Sequence, residues 1–173
     1  MLEISLKEDL KTLFSAKLLN TDESGVTQLL KRQEAHIALS DAGAHLNFLC
    51  DAGFGLHLLG HWVRDKKVLS LEHAVKRLTA QPAAIFGFRN RGILSSGKIA
   101  DLLLFDPNKV GRGKKIRVND LPTGASRLIT EPAGVHGVWV NGKQIVDKKG
   151  LMDDAPLAGK GMRSFEDSRL ITS

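Results

Sequence analysis

The sequence predicts a mixed α/β protein, and three observations carry that prediction. An amphipathic stretch at residues 24–33 runs into the nearly continuous apolar segment His36-Ile37-Ala38-Leu39-Ser40, and a loop of small residues follows. Two further stretches, residues 54–66 and 71–81, place apolar side chains at helical spacing. Beyond Gly92 the pattern changes to strands and closes on a hairpin with Asn141-Gly142 at its turn. Helix, buried strand and short loop make the rhythm of an α/β unit.

The elements follow in order. Residues 2–20 cluster Leu, Ile and Phe without a clean period and fit either a strand or a short helix. Thr21-Asp22-Glu23-Ser24 is a helix-start signal, with carboxylates where the helix dipole favours them. Val26, Leu29 and Leu30 then form the apolar face of a short helix. The run from His36 to Ser40 suits a strand buried on both faces, as in a parallel sheet covered by helices. Leu56, Leu59 and Val63 mark one face of a helix over 54–66. Ser70 caps the next helix, with Leu71, Ala74, Val75 and Leu78 on one face. Pro82 interrupts that helix or opens another turn, and Gly87 is a terminator. Residues 99–105 read as a strand closed by Asp106-Pro107, and residues 136–146 as the hairpin. The predicted division is 1–90 for the helical part, 91–150 for the strands, and 151–173 for a peripheral tail.

Composition narrows the class. The 173 residues are 42% hydrophobic and 25% charged, which are globular values. One cysteine, Cys50, leaves no internal disulfide and fits a reducing compartment. No apolar run approaches the roughly 20 residues that span a bilayer, and the N-terminus lacks an apolar signal core. The expected location is the cytoplasm, with no membrane partner. The net charge of +6 peaks in Gly111-Arg112-Gly113-Lys114-Lys115-Ile116-Arg117, but no aromatic residue is interleaved there. That disfavours a nucleic-acid platform, and the stretch reads as a solvated loop between strands.

Asp41 is the leading candidate for chemistry. A carboxylate at the C-terminal end of a strand faces the usual ligand crevice of α/β folds. Ala42 and Gly43 leave room for a substrate beside it. The plainer alternative is that Asp41 caps the next helix or ties a turn. His45 either reaches the same cleft, to bind substrate or hold the loop, or is a surface histidine. His57 and His61 have the i, i+4 spacing of paired zinc ligands. The stretch His-Leu-Leu-Gly-His lacks the glutamate of the zinc-protease motif, so packing or surface roles are the expectation. Cys50 has no CxxC partner and reads as a buried thiol.

Residues 69–107, LSLEHAVKRLTAQPAAIFGFRNRGILSSGKIADLLLFDP, resemble the C-terminal signature of the amidohydrolase superfamily. The features that carry it are Thr79, Pro82-Ala83, Phe86-Gly87, Gly92 with Leu94 and Gly97, and Ala100-Asp101-Leu102. SDAGAHL at 40–46, LGHWVRD at 59–65 and residues 120–142 are similar to the N-acyl-D-amino-acid deacylases, the D-aminoacylase-like branch. The resemblance implies the C-terminal portion of a metal-dependent (β/α)8 barrel followed by part of a small β-sandwich. It implies hydrolysis of the amide bond of N-acyl-D-amino acids, with Asp41 as general acid/base beside zinc. Ser40, Gly43 and His45 would then contact substrate.

A barrel of this class needs about 250 residues, and about 90 precede the strands here. The family's His-x-His, its metal-ligating Cys or Lys, and its middle-strand histidines have no counterpart, so Asp41 is at most a weak metal ligand. The expectation is a truncated, split or cloned C-terminal part, inactive alone. It would be a homo-oligomer or the partner of an upstream barrel half. The alternative is a non-enzymatic interaction module that keeps the fold remnant.

Overall fold

The computed structural model describes residues 1–12, 14, 16, 19–37 and 40–162. The chain divides into two compact units, Met1–Arg32 and Gln33–Ser173.

The first unit holds two helices. α1 (Leu2–Lys7) resolves the strand-or-helix question for the opening residues. α2 (Glu23–Lys31) starts where the carboxylates predicted, because Asp22 accepts hydrogen bonds from the backbone N–H groups of Ser24 and Gly25 at 2.9 and 3.2 Å. Of its expected apolar face, Leu30 is buried whereas Leu29 is exposed.

The second unit begins with a bend at Gln33 and Glu34, and a run of turns and bends covers residues 42–48. The strand expected at residues 36–40 falls partly on Ala38 and Leu39, which lie outside the described residues. His36, Ile37 and Ser40 are in no strand. A helical stretch follows, α3 (Phe54–His57) continuing as a π-helix over Leu58–Asp65. The wider winding shows in the bond from Lys66 N–H to His61 C=O, five residues back, at 2.8 Å. It also changes the buried face. Leu59 is buried as expected, but its buried companions are Leu58 and Trp62, whereas Leu56 and Val63, which a constant α-helical period selects, are half-buried.

α4 (Leu71–Leu78) is capped by the Ser70 hydroxyl, which accepts from His73 N–H at 3.2 Å. Pro82 opens a new helix, α5 (Ala80–Ile85), in whose first turn a missing N–H costs nothing. α5 ends on Gly87 at φ 73°, with Phe88 N–H bonded to Ala83 C=O and Gly87 N–H to Ala84 C=O. That pairing of bonds is a Schellman cap.

The strands form two antiparallel groups. β1 (Leu102–Phe105), β4 (Val135–Val140), β5 (Lys143–Asp147) and β6 (Gly150–Leu151) make a sheet in the order β1-β4-β5-β6. β2 (Gly111–Val118) and β3 (Arg127–Ala133) make a ribbon. Every described ladder is antiparallel, so among the described residues the fold is mixed helix and strand with no parallel pair. The basic stretch is strand β2, not the expected solvated loop. Asn141 (φ 49°) and Gly142 (φ 76°) turn the β4–β5 hairpin as their sequence demands.

The core lies where the π-helix meets the start of β2. Gly60 sits against Val110, which is fully buried, and Arg64 Nη1 donates to the Val110 carbonyl at 2.5 Å. In the four-stranded sheet β1 is an edge strand, and Leu102, Leu103 and Leu104 are 37%, 44% and 54% exposed. Those values matter because both faces of this apolar edge are open to solvent.

The residues of the amidohydrolase-like signature turn out to fasten these parts together. Asp101 accepts from Asn141 N–H at 2.8 Å and pairs with Arg91, whose Nη2 also donates to the Asn141 side chain at 3.0 Å. Gly142 N–H bonds Ala100 C=O at 2.8 Å. So the Ala-Asp-Leu segment clamps the hairpin turn.

Candidate functional site

Asp41 stands at the head of a tight turn. Ala44 N–H donates to Asp41 C=O at 3.1 Å, and Gly43 adopts φ 88°, the left-handed value that this turn type assigns to glycine. The Ser40 hydroxyl accepts from Ala42 N–H at 3.3 Å, so serine, with Asp41's own backbone, ties the turn. Asp41, Gly43 and His45 are exposed, and Ser40 is half-buried. A side chain added at Gly43 would start in open space, with nothing within 4 Å. The His45 ring stacks on Phe48, centroids 4.8 Å apart and 18° between planes, and its carbonyl accepts from Leu49 N–H at 2.9 Å. The four predicted residues therefore share one loop, brought together by sequence proximity.

Two anchors position that loop. Upstream, Arg77 of α4 donates to Ala35 C=O, and Gln81 of α5 reaches Gln33 C=O at 3.5 Å. Arg77 is 3% exposed, and burial pulls its guanidinium below its ordinary pKa. Downstream, the β2–β3 ribbon holds residues 46–51. Leu128 N–H donates to Leu46 C=O and Arg117 Nη2 to Asn47 C=O, each at 2.8 Å. Asp51 pairs with Lys115 at 3.3 Å and Arg112 at 3.9 Å. Cys50 is buried as expected, with its Sγ 3.4 Å from Thr130 Oγ1. That hydroxyl's hydrogen bond pulls the thiol below its ordinary pKa, outweighing the opposing effect of burial.

Sequence reasoning missed Arg77 and the cations of β2 as anchors. Arg77 did carry a signal: it follows Ala74 by three residues, on the buried side of α4.

An apolar groove of about 510 Å³ lies elsewhere, between the helices and β1, with Phe54, Leu56, Leu78, Ile93 and Leu103 in its walls. Asp41 and His45 do not line it. Among the described residues, no three His, Cys, Asp or Glu side chains come together as a metal site. No described helix is long and apolar enough to cross a membrane.

Comparison with known proteins gives the chain a context. Residues 20–146 match the amidohydrolase family. Over 91 residues the chain is 41% identical to the N-acyl-D-aspartate deacylase of Alcaligenes xylosoxydans xylosoxydans, covering 53% of this chain and 16% of that protein. Over 89 residues it is 39% identical to the D-aminoacylase of the same organism, covering 51% of this chain and 16% of that one. The solved N-acyl-D-glutamate deacylase of Bordetella bronchiseptica, complexed with zinc and a phosphonate inhibitor, aligns at 33% identity and a TM-score of 0.44. That alignment covers 62% of this chain and 20% of the solved one.

Proposed function

The chain belongs to the amidohydrolase family, and on that premise we propose that it contributes the acid/base carboxylate, Asp41, to an N-acyl-D-amino-acid deacylase. The observation that carries the reading is the 41% identity to a deacylase. Asp41's exposed place on an open glycine turn supports it. In this role Asp41 accepts a proton from the water that attacks the amide carbonyl and returns it to the departing amine. The products are a carboxylate and a free D-amino acid. Ser40 sets the turn, Gly43 leaves space for substrate, and His45 contacts it.

The zinc implied by the resemblance does not find a ligand set among the described residues, and a lone carboxylate does not hold zinc. In our reading the metal belongs to the complete enzyme, residues 1–90 are the last units of its barrel, residues 91–150 belong to the sandwich, and residues 151–173 are peripheral. The chain alone is inactive and works in the cytoplasm with an upstream barrel half or with further copies of itself. The exposed leucines of edge strand β1 support a covering partner. They also favour the second reading, a non-enzymatic interaction module.

The test is reconstitution with a chain that supplies the missing metal ligands, assayed for hydrolysis of N-acyl-D-amino acids. Asp41→Asn keeps the size and removes the proton acceptor, so turnover should fall at least ~10²-fold with metal content retained. Near-normal turnover in that variant would leave Asp41 as a turn residue, and no turnover from the unsubstituted pair would favour the interaction module.

A further inference from the structure

We infer that Asn141 is a site of covalent self-modification, deamidation to aspartate or isoaspartate through a cyclic imide, and that the clamp around the hairpin turn holds this reaction in check. Asn141-Gly142 is the chain's one Asn-Gly pair. Asparagine is a thermolabile residue, and a glycine after it leaves the next backbone nitrogen unshielded by any Cβ. In the reaction the Gly142 nitrogen attacks Asn141 Cγ, and the new C–N bond closes a five-membered imide. The side-chain nitrogen leaves as ammonia, taking the proton that Gly142 N–H gives up. Water then cleaves one of the two imide C–N bonds. Cleavage at Cγ gives aspartate, and cleavage at the main-chain carbonyl gives isoaspartate. No oxidant or reductant is needed.

The reacting groups are all engaged in the structure. Gly142 N–H donates to Ala100 C=O at 2.8 Å. Asn141 Nδ2 donates to Ala158 C=O, and Oδ1 accepts from Arg91 Nη2 at 3.0 Å. A carbonyl on one end of the amide and a guanidinium on the other fix which end is which. Asn141 N–H is held by Asp101 Oδ1 at 2.8 Å, and Asp101 in turn pairs with Arg91. An imide nitrogen carries no hydrogen, and the departing ammonia no longer tethers the side chain. Neither the Ala100 bond nor the Ala158 bond therefore survives ring closure.

Arg91 acts in the opposite sense. A cation at the amide oxygen stabilises the negative charge that gathers there during attack. Cγ is thus left receptive, and the clamp withholds the nucleophile. Exclusion of water is not the guard, because Gly142 is exposed and Asn141 half-buried. The reaction waits on local opening of the clamp, and its rate follows the population of that open state. Isoaspartate adds a main-chain carbon to the two-residue turn, so the β4–β5 register that the turn sets is lost once it forms.

The test is the deamidation rate of the full chain in mildly alkaline buffer. It is followed in the tryptic peptide ending at Lys143, by mass gain and by isoaspartate-specific methylation. The folded parent should react at least about tenfold more slowly than the same chain unfolded in guanidinium chloride, since two hydrogen bonds must first be given up. Asp101→Ala removes the acceptor of Asn141 N–H and the partner of Arg91 without altering a reacting atom. It should raise the folded rate at least about threefold, with an unchanged tryptophan emission maximum showing that the variant is folded. Asp101→Asn keeps the size, loses the ion pair, and takes the place of the alanine variant if that one unfolds. Equal rates in the folded and unfolded parent overturn the proposal, as does a folded Asp101 variant that reacts no faster than the parent.

Discussion

Replacing Gly60 by alanine sets two effects of known size against each other. In a helix interior alanine is favoured over glycine by about 1 kcal/mol. At Gly60, however, a Cβ would lie 2.6 Å from the Val110 carbonyl oxygen and 2.9 Å from Gly111 Cα. Both neighbours are backbone, so no flexible side-chain end can yield. Val110 is fully buried, and its carbonyl is held by Arg64 Nη1, so moving it away disturbs a charged hydrogen bond as well. Overpacking of this kind costs about 1–3 kcal/mol, and weakening a hydrogen bond to a charged group adds about 1 kcal/mol or more. The steric terms win, and Gly60→Ala should lose about 1–3 kcal/mol net. For a protein of this size that lowers Tm by about 3–8 °C. Gly55→Ala is the control, because its Cβ would meet only Leu78 methyl carbons at 3.9 Å. It should be neutral or stabilising by up to about 1 kcal/mol. Urea and thermal unfolding followed by tryptophan emission measure both. A Gly60→Ala variant as stable as the parent would refute the close packing of the π-helix on β2.

Two further outcomes follow from single contacts. Arg77→Met keeps most of the buried stem but loses the bond to Ala35 C=O, so stability should fall by about 1–2 kcal/mol, with faster amide exchange over residues 33–37 and an unchanged rate there if Arg77 is no anchor. The Arg127 guanidinium bonds both Asp120 carboxylate oxygens at 2.7 Å and holds that group below the usual carboxylate range. A carboxylate whose folded pKa is depressed stabilises the fold above its unfolded pKa of about 3.9, and that contribution is lost as pH falls through the folded value. The gap in urea midpoint between parent and Asp120→Asn should therefore narrow as pH drops below about 4, and a gap independent of pH would exclude the pair as its source.

Local chemistry made much of the fold legible, and long-range packing hid the remainder. Asp22, Ser70 and Gly87 each act through bonds to residues a few positions away, and Asn141-Gly142 through the positive φ of the turn itself, so their sequence context sufficed. Over residues 54–66 a constant 3.6-residue period does not select the buried companions of Leu59, because the backbone widens to π winding there. The cations of β2 suggest a solvated loop when seen in sequence alone. Partners of Lys115 and Arg117, Asp51 and the Asn47 carbonyl, lie 64 and 70 residues away in sequence. No window of a few residues contains that information.

The same distance dependence bears on the candidate site. The turn itself is written in Ser40, Asp41 and Gly43, but where it points is not. Its upstream arm is held by α4 and α5 and its downstream arm by the β2–β3 ribbon. Between these anchors residues 41–45 are exposed and carry little packing of their own. Arg77, Lys115 and Arg117 thus hold the chain on either side of Asp41, and none of them belongs to the turn itself. A general base acts only within hydrogen-bond reach of its proton. Loosening either anchor should therefore cost turnover in the reconstituted enzyme even though the turn sequence is intact. On the proposed reading that separates positioning from chemistry: Asp41→Asn would remove the proton acceptor outright, whereas Arg117→Met would leave it in place and loosen the loop that carries it.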